Sequence, residues 1–253
     1  MHGLRDALEQ SQKDGVAIGH FNVGDWVLLK AVFASEQELK VPVVVGASEG
    51  EREFIGVRQI AALVRSLREE SDCPIFLNAD HTHSLAKAVE ATRAGFDAIV
   101  FDLSALPFEQ NVRQTKEAVE TLKSINPAIL VEGEIGDIGT GSEIHEEAPD
   151  LSRGLTSPVE AKQFVESTGV DILAPAVGNM HGCSRAWCRD KRGSDWISRE
   201  SPRSRMRPKC HLPCMADRVP TTKICARQSP PGSISYTSIL NCELPGGVAW
   251  KRA

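Results

Sequence analysis

The chain has 253 residues, of which 41% are hydrophobic and 25% charged, a composition typical of globular proteins with a substantial core. Its formal net charge is −5, no run approaches the roughly 20 apolar residues that span a bilayer, and the N-terminal MHGLRDALEQ is a charged helix start. These features argue against a membrane-spanning or secreted protein and predict a cytoplasmic one.

Short apolar runs alternate with amphipathic segments up to residue 182. The runs predict strands buried on both faces over 16–23, 41–48, 74–80, 97–104, 128–136 and 170–178. The segments between them predict helices over 25–39, 57–70, 84–95, 108–124 and 157–169. Ser84 and Ser157 are expected N-caps, and Gly95 and Gly169 are expected C-terminal stops.

Strand-plus-helix units of about 30 residues predict a parallel sheet. An open doubly wound sheet and an eight-stranded barrel of about 250 residues are both compatible with this repeat. The barrel is favoured because no GxGxxG follows the first strand and because every predicted strand ends in polar residues, namely Asn22, Ser48, Asp80 with His81, Asp102, Glu134, and Asn179 with His181. We therefore predict an α/β fold of the (β/α)8 TIM-barrel type, with strands one to six recognisable and strands seven and eight degraded or missing.

The third predicted strand ends in LNADHTHS, which crowds Asp80, His81 and His83 into four positions. His181 follows the sixth predicted strand, so a barrel would direct it into the same bowl as His81. Imidazoles beside carboxylates suit Zn²⁺, which takes three protein ligands and keeps one open position in catalytic sites. The alternative is that these histidines are polar residues near a phosphate or a core edge. Their shared strand-end placement and the adjacent Asp80 favour a metal, whereas His83 is expected to face solvent or to support the ligands.

Six motifs occur in chain order: GHFNV, VGASEGE, LNADHTHS, IVFDLS, EGEIGDIGTGSE and APAVGNMHG. Over residues 1–182 they resemble the class II, metal-dependent fructose-bisphosphate aldolases and their tagatose-bisphosphate relatives. The resemblance implies a lyase that reversibly cleaves a phosphorylated ketose to dihydroxyacetone phosphate and glyceraldehyde 3-phosphate through a metal-stabilised enediolate. It also implies Zn²⁺ as cofactor, with room for a second divalent or a monovalent cation, and a homodimer or homotetramer in the intact family. Neither nucleic acid nor membrane is an expected partner.

The resemblance also implies roles for individual residues. His81 and His181 match two of three zinc ligands, and Asp102 and Glu134 match acids that hold the metal site or an alternative metal position. Asp80 matches the acid that exchanges a proton with the aldehyde-derived oxygen, and Glu143 the base that removes the carbon-bound proton; a solvated loop carboxylate is the alternative for Glu143. Further matches fall on substrate-binding positions, at the amide of Gly182 and at Asn22, Ser48 and Asn241. For Asn22 and Ser48, a turn residue or a local cap is an equal alternative.

The resemblance stops after Gly182, where composition changes. Residues 1–182 carry 15 Lys and Arg against 29 Asp and Glu, whereas 183–253 carry 14 against 5 and six of the seven cysteines. No LHGGSG phosphate loop occurs, so the third zinc ligand has no assignment. We predict an aldolase-type barrel portion over 1–182 and a divergent, poorly ordered basic tail rich in Cys, Arg and Pro over 183–253. A reading-frame shift would produce this change; a genuine appendage that binds zinc or nucleic acid is the alternative.

Two rival functions remain open at this point. One is an inactive phosphosugar-binding remnant of an aldolase, because six strands do not close an eight-stranded barrel. The other is a barrel-type metal-dependent hydrolase, which HTH at 81–83 matches in part, although such enzymes carry His-x-His after the first strand. The choice between fructose and tagatose bisphosphate is also open.

Overall fold

A computed structural model describes residues 3–71, 74–136 and 154–177, together with the backbone of the strands 144–145, 183–184, 222–228 and 234–242. The helices are α1 Leu4–Asp14, α2 Trp26–Leu39, α3 Glu49–Ile55, α4 Val57–Ser71, α5 Leu85–Ala94, α6 Phe108–Ile125 and α7 Pro158–Thr168. The strands are β1 Ile18–Asn22, β2 Val43–Ala47, β3 Ile75–Thr82, β4 Ala98–Phe101, β5 Leu130–Ile135, β6 Ile144–His145, β7 Ile172–Pro175, β8 Cys183–Ser184, β9 Thr222–Gln228 and β10 Ile234–Cys242.

Helix ends follow the residues that the sequence indicates. The hydroxyl of Ser84 accepts a hydrogen bond from the backbone N–H of Lys87, and Ser157 caps α7 in the same way. Gly95 and Gly169 end α5 and α7 in the left-handed conformation, with φ of 98° and 72°, which glycine adopts without the steric cost of a Cβ. The predictions for all four positions are confirmed.

Helix α3 is an additional short element that the apolar pattern does not reveal. It begins after Ser48, whose side chain accepts from the N–H of Glu51 while the Glu51 carboxylate accepts from the N–H of Ser48. This reciprocal capping box satisfies donors that the first helical turn leaves unpaired. The Ser-x-x-Glu spacing at 48–51 was the available signal for it.

The sheet has the order β7-β5-β4-β3-β2-β1-β10-β9. The six strands β1, β2, β3, β4, β5 and β7 run parallel to one another, as the βα repeat predicts. Strand β10 pairs in parallel with β1, on the edge of β1 opposite β2, and in this register Asn241 is the partner of His20. Strand β9 runs antiparallel to β10. The prediction of six recognisable barrel strands is confirmed, and an antiparallel β9 departs from the regular βα pattern.

The inward-facing residues of the six parallel strands form layers, because alternate side chains of a strand point to the same face. The lowest layer is a cluster of buried apolar side chains closed from below by Leu4 and Leu8 of α1; its strand members are Ile18, Val44, Phe76, Ala98, Leu130 and Ile172. Two residues further along, three of the six strands, β1, β3 and β5, carry the buried polar side chains of His20, Asn78 and Glu132. Helix α1 thus seals the N-terminal ends of the strands, and polarity rises toward the C-terminal ends.

The outward faces of the strands pack against the helices in a second, larger core that includes Leu29, Ile60, Leu77 and Phe164. A groove of about 890 Å³ remains beside this core, between α1, the outer face of β1 and α2. Among the described residues, no helix combines the length and the apolar character needed to cross a membrane.

Charged residues fix the N-terminal strand ends from outside. Asp97 accepts from the N–H of Leu77 and pairs with Arg68. Asp171 accepts from the N–H of Val131 at 3.0 Å and pairs with Arg5 and Lys123. In both cases an aspartate one residue before a strand ties that strand to the preceding one in the sheet. The two ties are not part of the polar site at the other end.

Candidate active site

The polar end of β3 carries a backbone irregularity at its functional residues. Register with β4 shifts between Ala79 and Thr82, so β3 bulges there. His81 has φ of 39°, in the left-handed region that a non-glycine residue occupies at a cost of about 1–2 kcal/mol. Bulges and strained residues of this kind occur next to active sites, where they redirect a side chain. Here the bulge directs His81 toward the C-terminal rim of the sheet.

The His81 ring meets two carboxylates from neighbouring strands. Its Nδ1 lies 2.9 Å from Oδ2 of Asp102, just after β4, and 3.7 Å from Oε2 of Glu134 in β5. The side chains are mostly buried, with 20%, 12% and 3% of their area exposed for His81, Asp102 and Glu134. These three residues, which the sequence places at the ends of successive strands, are therefore brought together by the fold.

The geometry of this cluster fits a bound cation. Its three potential ligand atoms all lie within 4.8 Å of one another. Ligand atoms on one tetrahedral ion, with bonds of about 2.0–2.2 Å, lie about 3.4 Å apart, a spacing that falls within this limit. An imidazole with two carboxylates also has the donor chemistry of a borderline divalent ion. His81, Asp102 and Glu134 could thus hold a metal.

The Asp102 carboxylate is held in its ionised form. Burial alone would raise the pKa of Asp102, but hydrogen bonds from His81 and from the hydroxyl and N–H of Ser104 outweigh burial and lower that pKa well below its usual range. An ionised carboxylate at this position fixes the orientation of the His81 ring, which is the usual arrangement around metal-binding histidines.

Asp80 lies next to this cluster on the same bulge. It is 3% exposed, and its Oδ2 is 4.0 Å from Nε2 of His81. Asn22, at the end of β1, donates to the same Oδ2 at 2.9 Å and approaches Oε2 of Glu51 at 3.4 Å. Asn22 therefore touches the predicted catalytic acid, which sequence spacing could not foresee.

The other predicted residues fall in two groups. Ser48 lies at the rim as the N-cap of α3, the local role that was one of its two predicted alternatives. Glu143, His181 and Gly182 lie outside the described residues, as does the side chain of Asn241, whose backbone is level with His20. His83 is 58% exposed, and its Nδ1 lies 3.0 Å from the carbonyl oxygen of Asp102 and 4.0 Å from the Asp102 carboxylate, so it borders the cluster from the solvent side.

Sequence reasoning missed Arg52 and Glu51, both of which support the rim from α3. Arg52 is 3% exposed and donates to groups on β2 and β3. The capping-box spacing around Glu51 was readable, whereas an arginine in a short charged helix carries no sequence signal of burial.

Comparison with known proteins identifies the family. Residues 2–190 match the family model described as "Fructose-bisphosphate aldolase class-II". This chain belongs to the class II fructose-bisphosphate aldolase family. The fructose-bisphosphate aldolase of Thermus caldophilus is 34% identical over 177 residues, which are 70% of this chain and 57% of that protein. The probable fructose-bisphosphate aldolase of Bacillus subtilis is 33% identical over 184 residues, 71% of this chain and 62% of that protein.

The fold agrees with solved aldolase structures. The YdjI aldolase from Escherichia coli K12 superimposes with a TM-score of 0.61 at 29% identity, covering 71% of this chain and 64% of that one. This family member therefore spans less than two thirds of the length of the relatives that it matches. The resemblance stated from the six sequence motifs is confirmed, and the matched region ends close to the predicted boundary at residue 182.

Proposed function

We propose that this protein is a zinc-dependent aldolase that reversibly cleaves fructose 1,6-bisphosphate, or tagatose 1,6-bisphosphate, to dihydroxyacetone phosphate and glyceraldehyde 3-phosphate. The observation that carries the proposal is the convergence of His81, Asp102 and Glu134 beside the buried Asp80 at the C-terminal rim of a parallel barrel sheet. That rim is where TIM-barrel enzymes build their active sites.

A divalent ion bound at this rim would act as a Lewis acid toward the ketone and hydroxyl oxygens of the substrate. We propose His81 and His181 as ligands, with Asp102 and Glu134 holding the metal site or an alternative cation position. The hydrogen bond between Asp102 and Nδ1 of His81 supports this assignment because it fixes the ring before any ion binds.

Two carboxylates would move the protons. Asp80 is proposed to exchange a proton with the aldehyde-derived oxygen, and its Oδ2, bonded to Asn22, has a fixed position for that purpose. Glu143, in the segment after β5, is proposed as the base at the carbon atom. Asn22, Ser48, Asn241 and the amide of Gly182 are proposed to bind the substrate and its phosphates.

The wider assignments are proposals as well. The chain is expected to comprise a barrel portion over 1–182 and a divergent basic tail over 183–253, to act in the cytoplasm in carbohydrate metabolism, and to assemble as a homodimer or homotetramer. The match over residues 2–190 and the single cysteine in residues 1–182 support the first two expectations.

The decisive experiment supplies the 253-residue chain with fructose 1,6-bisphosphate and, separately, tagatose 1,6-bisphosphate, and measures release of glyceraldehyde 3-phosphate. Cleavage that a chelator abolishes and Zn²⁺ restores is the expected result, with His81→Ala as an inactive control. Cleavage that continues unchanged in the chelator would contradict a metal-dependent mechanism.

An inactive phosphosugar-binding remnant of an aldolase is the second candidate. It is favoured because the chain spans only 57% and 62% of the length of two aldolase relatives. Saturable binding of fructose 1,6-bisphosphate without turnover in the same experiment would support it. The hydrolase alternative is less favoured, because the exposed His83 has its Nδ1 on the carbonyl oxygen of Asp102 and the pair His81-x-His83 follows the third strand of the sheet, not the first.

A further inference from the structure

Arg52 is a buried cation that no role proposed above uses. It lies in α3, and its guanidinium donates to the carbonyl oxygen of Ala47, to the carbonyl oxygen of Asp80 at 3.0 Å and to the hydroxyl of Thr82 at 2.9 Å. Ala47 is the last residue of β2, and Asp80 and Thr82 flank His81 in β3. One side chain therefore joins the ends of two adjacent strands at the rim.

The bonded groups are those that define the bulge of β3. A bulge interrupts the regular ladder between strands and leaves local backbone groups to find other partners. Arg52 bonds the residues immediately before and after His81, and the Thr82 hydroxyl in turn donates to the carbonyl oxygen of Ala79 at 3.2 Å. The stretch from Ala79 to Thr82 is thus tied at both ends while His81 occupies its left-handed conformation.

The electrostatic setting explains how a guanidinium is tolerated there. Burial lowers the pKa of Arg52, and the nearby carboxylates of Glu49, Asp80, Glu51 and Glu90 raise it, in that order. Arginine nevertheless keeps its charge in proteins and presents five N–H donors in a fixed planar fork. A planar fork bonds three acceptors on two strands, which a single ammonium group does less well.

We infer that Arg52 is a positioning residue for the metal site: it holds residues 79–82 in the bulged conformation that directs His81 and Asp80 to their places at the rim. The inference rests on the proposed function for the identity of the site. It adds a residue of α3 that touches neither substrate nor metal and acts through the backbone of β3.

The test compares Arg52→Met and Arg52→Lys with Arg68→Met in the 253-residue chain. Arg68 is the matched control because it contacts the opposite end of β3: it donates to the carbonyl oxygen of Ile75 and pairs with Asp97. The measurements are Co²⁺ and Zn²⁺ affinity by titration calorimetry, the ring ¹⁵N chemical shifts of His81 in metal-free protein, and the midpoint of thermal unfolding.

Arg52→Met is expected to lower metal affinity about 10- to 100-fold, the range seen when outer partners of metal ligands are removed, and to shift the His81 ring signals. Arg68→Met is expected to lower the unfolding midpoint while leaving metal affinity and ring signals near their wild-type values. Arg52→Lys, which keeps the charge and loses the fork, is expected to lie between wild type and Arg52→Met. If Arg52→Met does not fold, a loss of affinity in Arg52→Lys that Arg68→Met does not share supports the inference.

Wild-type metal affinity and ring signals in the folded Arg52 variants would overturn the inference, and so would an equal loss of affinity in Arg68→Met. The outcome is separable from the proposed function. A wild-type chain that binds Co²⁺ but cleaves no bisphosphate would end the aldolase proposal and leave the positioning role intact. If the wild-type chain cleaves the bisphosphate and the Arg52 variants keep the wild-type metal affinity and ring signals, the aldolase proposal stands and the positioning role is refuted.

Discussion

The two ends of the same six strands differ sharply in chemistry. At the N-terminal end, apolar side chains such as Phe76 and Leu130 fill the interior next to α1, and Asp97 and Asp171 tie neighbouring strands from outside. At the C-terminal end, Asp80 and Glu134 are buried acids, and His81 is held in a left-handed conformation. The interior of the sheet is therefore apolar at one end and ionisable at the other.

Strand β3 contributes both to the apolar interior and to the candidate active site. Phe76, Asn78 and Asp80 of β3 are alternate residues that face the same interior, at 5%, 3% and 3% exposure. Each step of two residues rises about 6.6 Å along the strand. Over two such steps the interior-facing side chains of β3 therefore change from apolar to ionisable. Substitutions at one end should therefore alter stability with little effect on the site, and substitutions at the other end should do the opposite.

The largest expected effect is on stability, from Phe76→Ala. Removing a buried phenyl ring leaves a cavity and costs about 3–5 kcal/mol of unfolding free energy. Urea unfolding of the variant and the wild type measures the loss. Metal affinity of the remaining folded protein should be unchanged, and a parallel fall in affinity would show that the two ends are coupled.

The next effect is on metal binding, from His81→Ala. Loss of an imidazole ligand should reduce Zn²⁺ affinity by more than about 100-fold, beyond the range for residues that only support a ligand. Titration calorimetry provides the affinity, and urea unfolding without metal should show a loss of about 1–3 kcal/mol, because the buried Asp102 carboxylate loses its hydrogen bond from His81. Undiminished affinity would remove His81 from the metal site.

A smaller effect is expected on stability from Asp171→Ala. The change leaves the N–H of Val131 without its carboxylate acceptor and two cations without their partner, which should cost about 1–3 kcal/mol. Lys162→Ala is the control, because its pair with Glu166 is exposed and such pairs contribute about 0–1 kcal/mol. Equal losses in the two variants would argue against a structural tie at Asp171.

The smallest effects distinguish two helix caps. Ser48→Ala and Ser157→Ala each remove a capping-box hydroxyl and should cost about 1 kcal/mol of unfolding free energy. Ser48 is at the rim, so Ser48→Ala should also raise KM for the bisphosphate if its proposed substrate contact is correct. An unchanged KM with the expected loss of stability would make Ser48 a cap alone.

Much of the fold was readable from the sequence because its signals are local. Buried parallel strands are apolar nearly throughout, and Ser84, Ser157, Gly95 and Gly169 mark helix ends by their own hydrogen-bonding and backbone preferences. The common rim was also predictable, since parallel strands place their C-terminal ends on one side. The short helix α3 was missed because seven residues are too few to show a helical apolar period.

The contacts within the site were less predictable. That Asn22 bonds Asp80, 58 residues away, depends on how β1 and β3 are spaced across β2. The left-handed φ of His81 accompanies a register shift between β3 and β4, and the burial of Arg52 depends on how α3 packs against β2 and β3. Residue type alone carries none of this information.

The left-handed backbone at His81 has a consequence for laboratory evolution. Glycine would occupy that conformation without steric cost, so His81→Gly should relieve strain that His81→Ala retains. A screen that rewards thermal tolerance alone would therefore tolerate His81→Gly better than His81→Ala, although both variants lose the hydrogen bond to Asp102. Stabilised variants of this protein are best selected under a simultaneous demand for turnover, since His81, a strained residue of β3, is one on which its chemistry is proposed to depend.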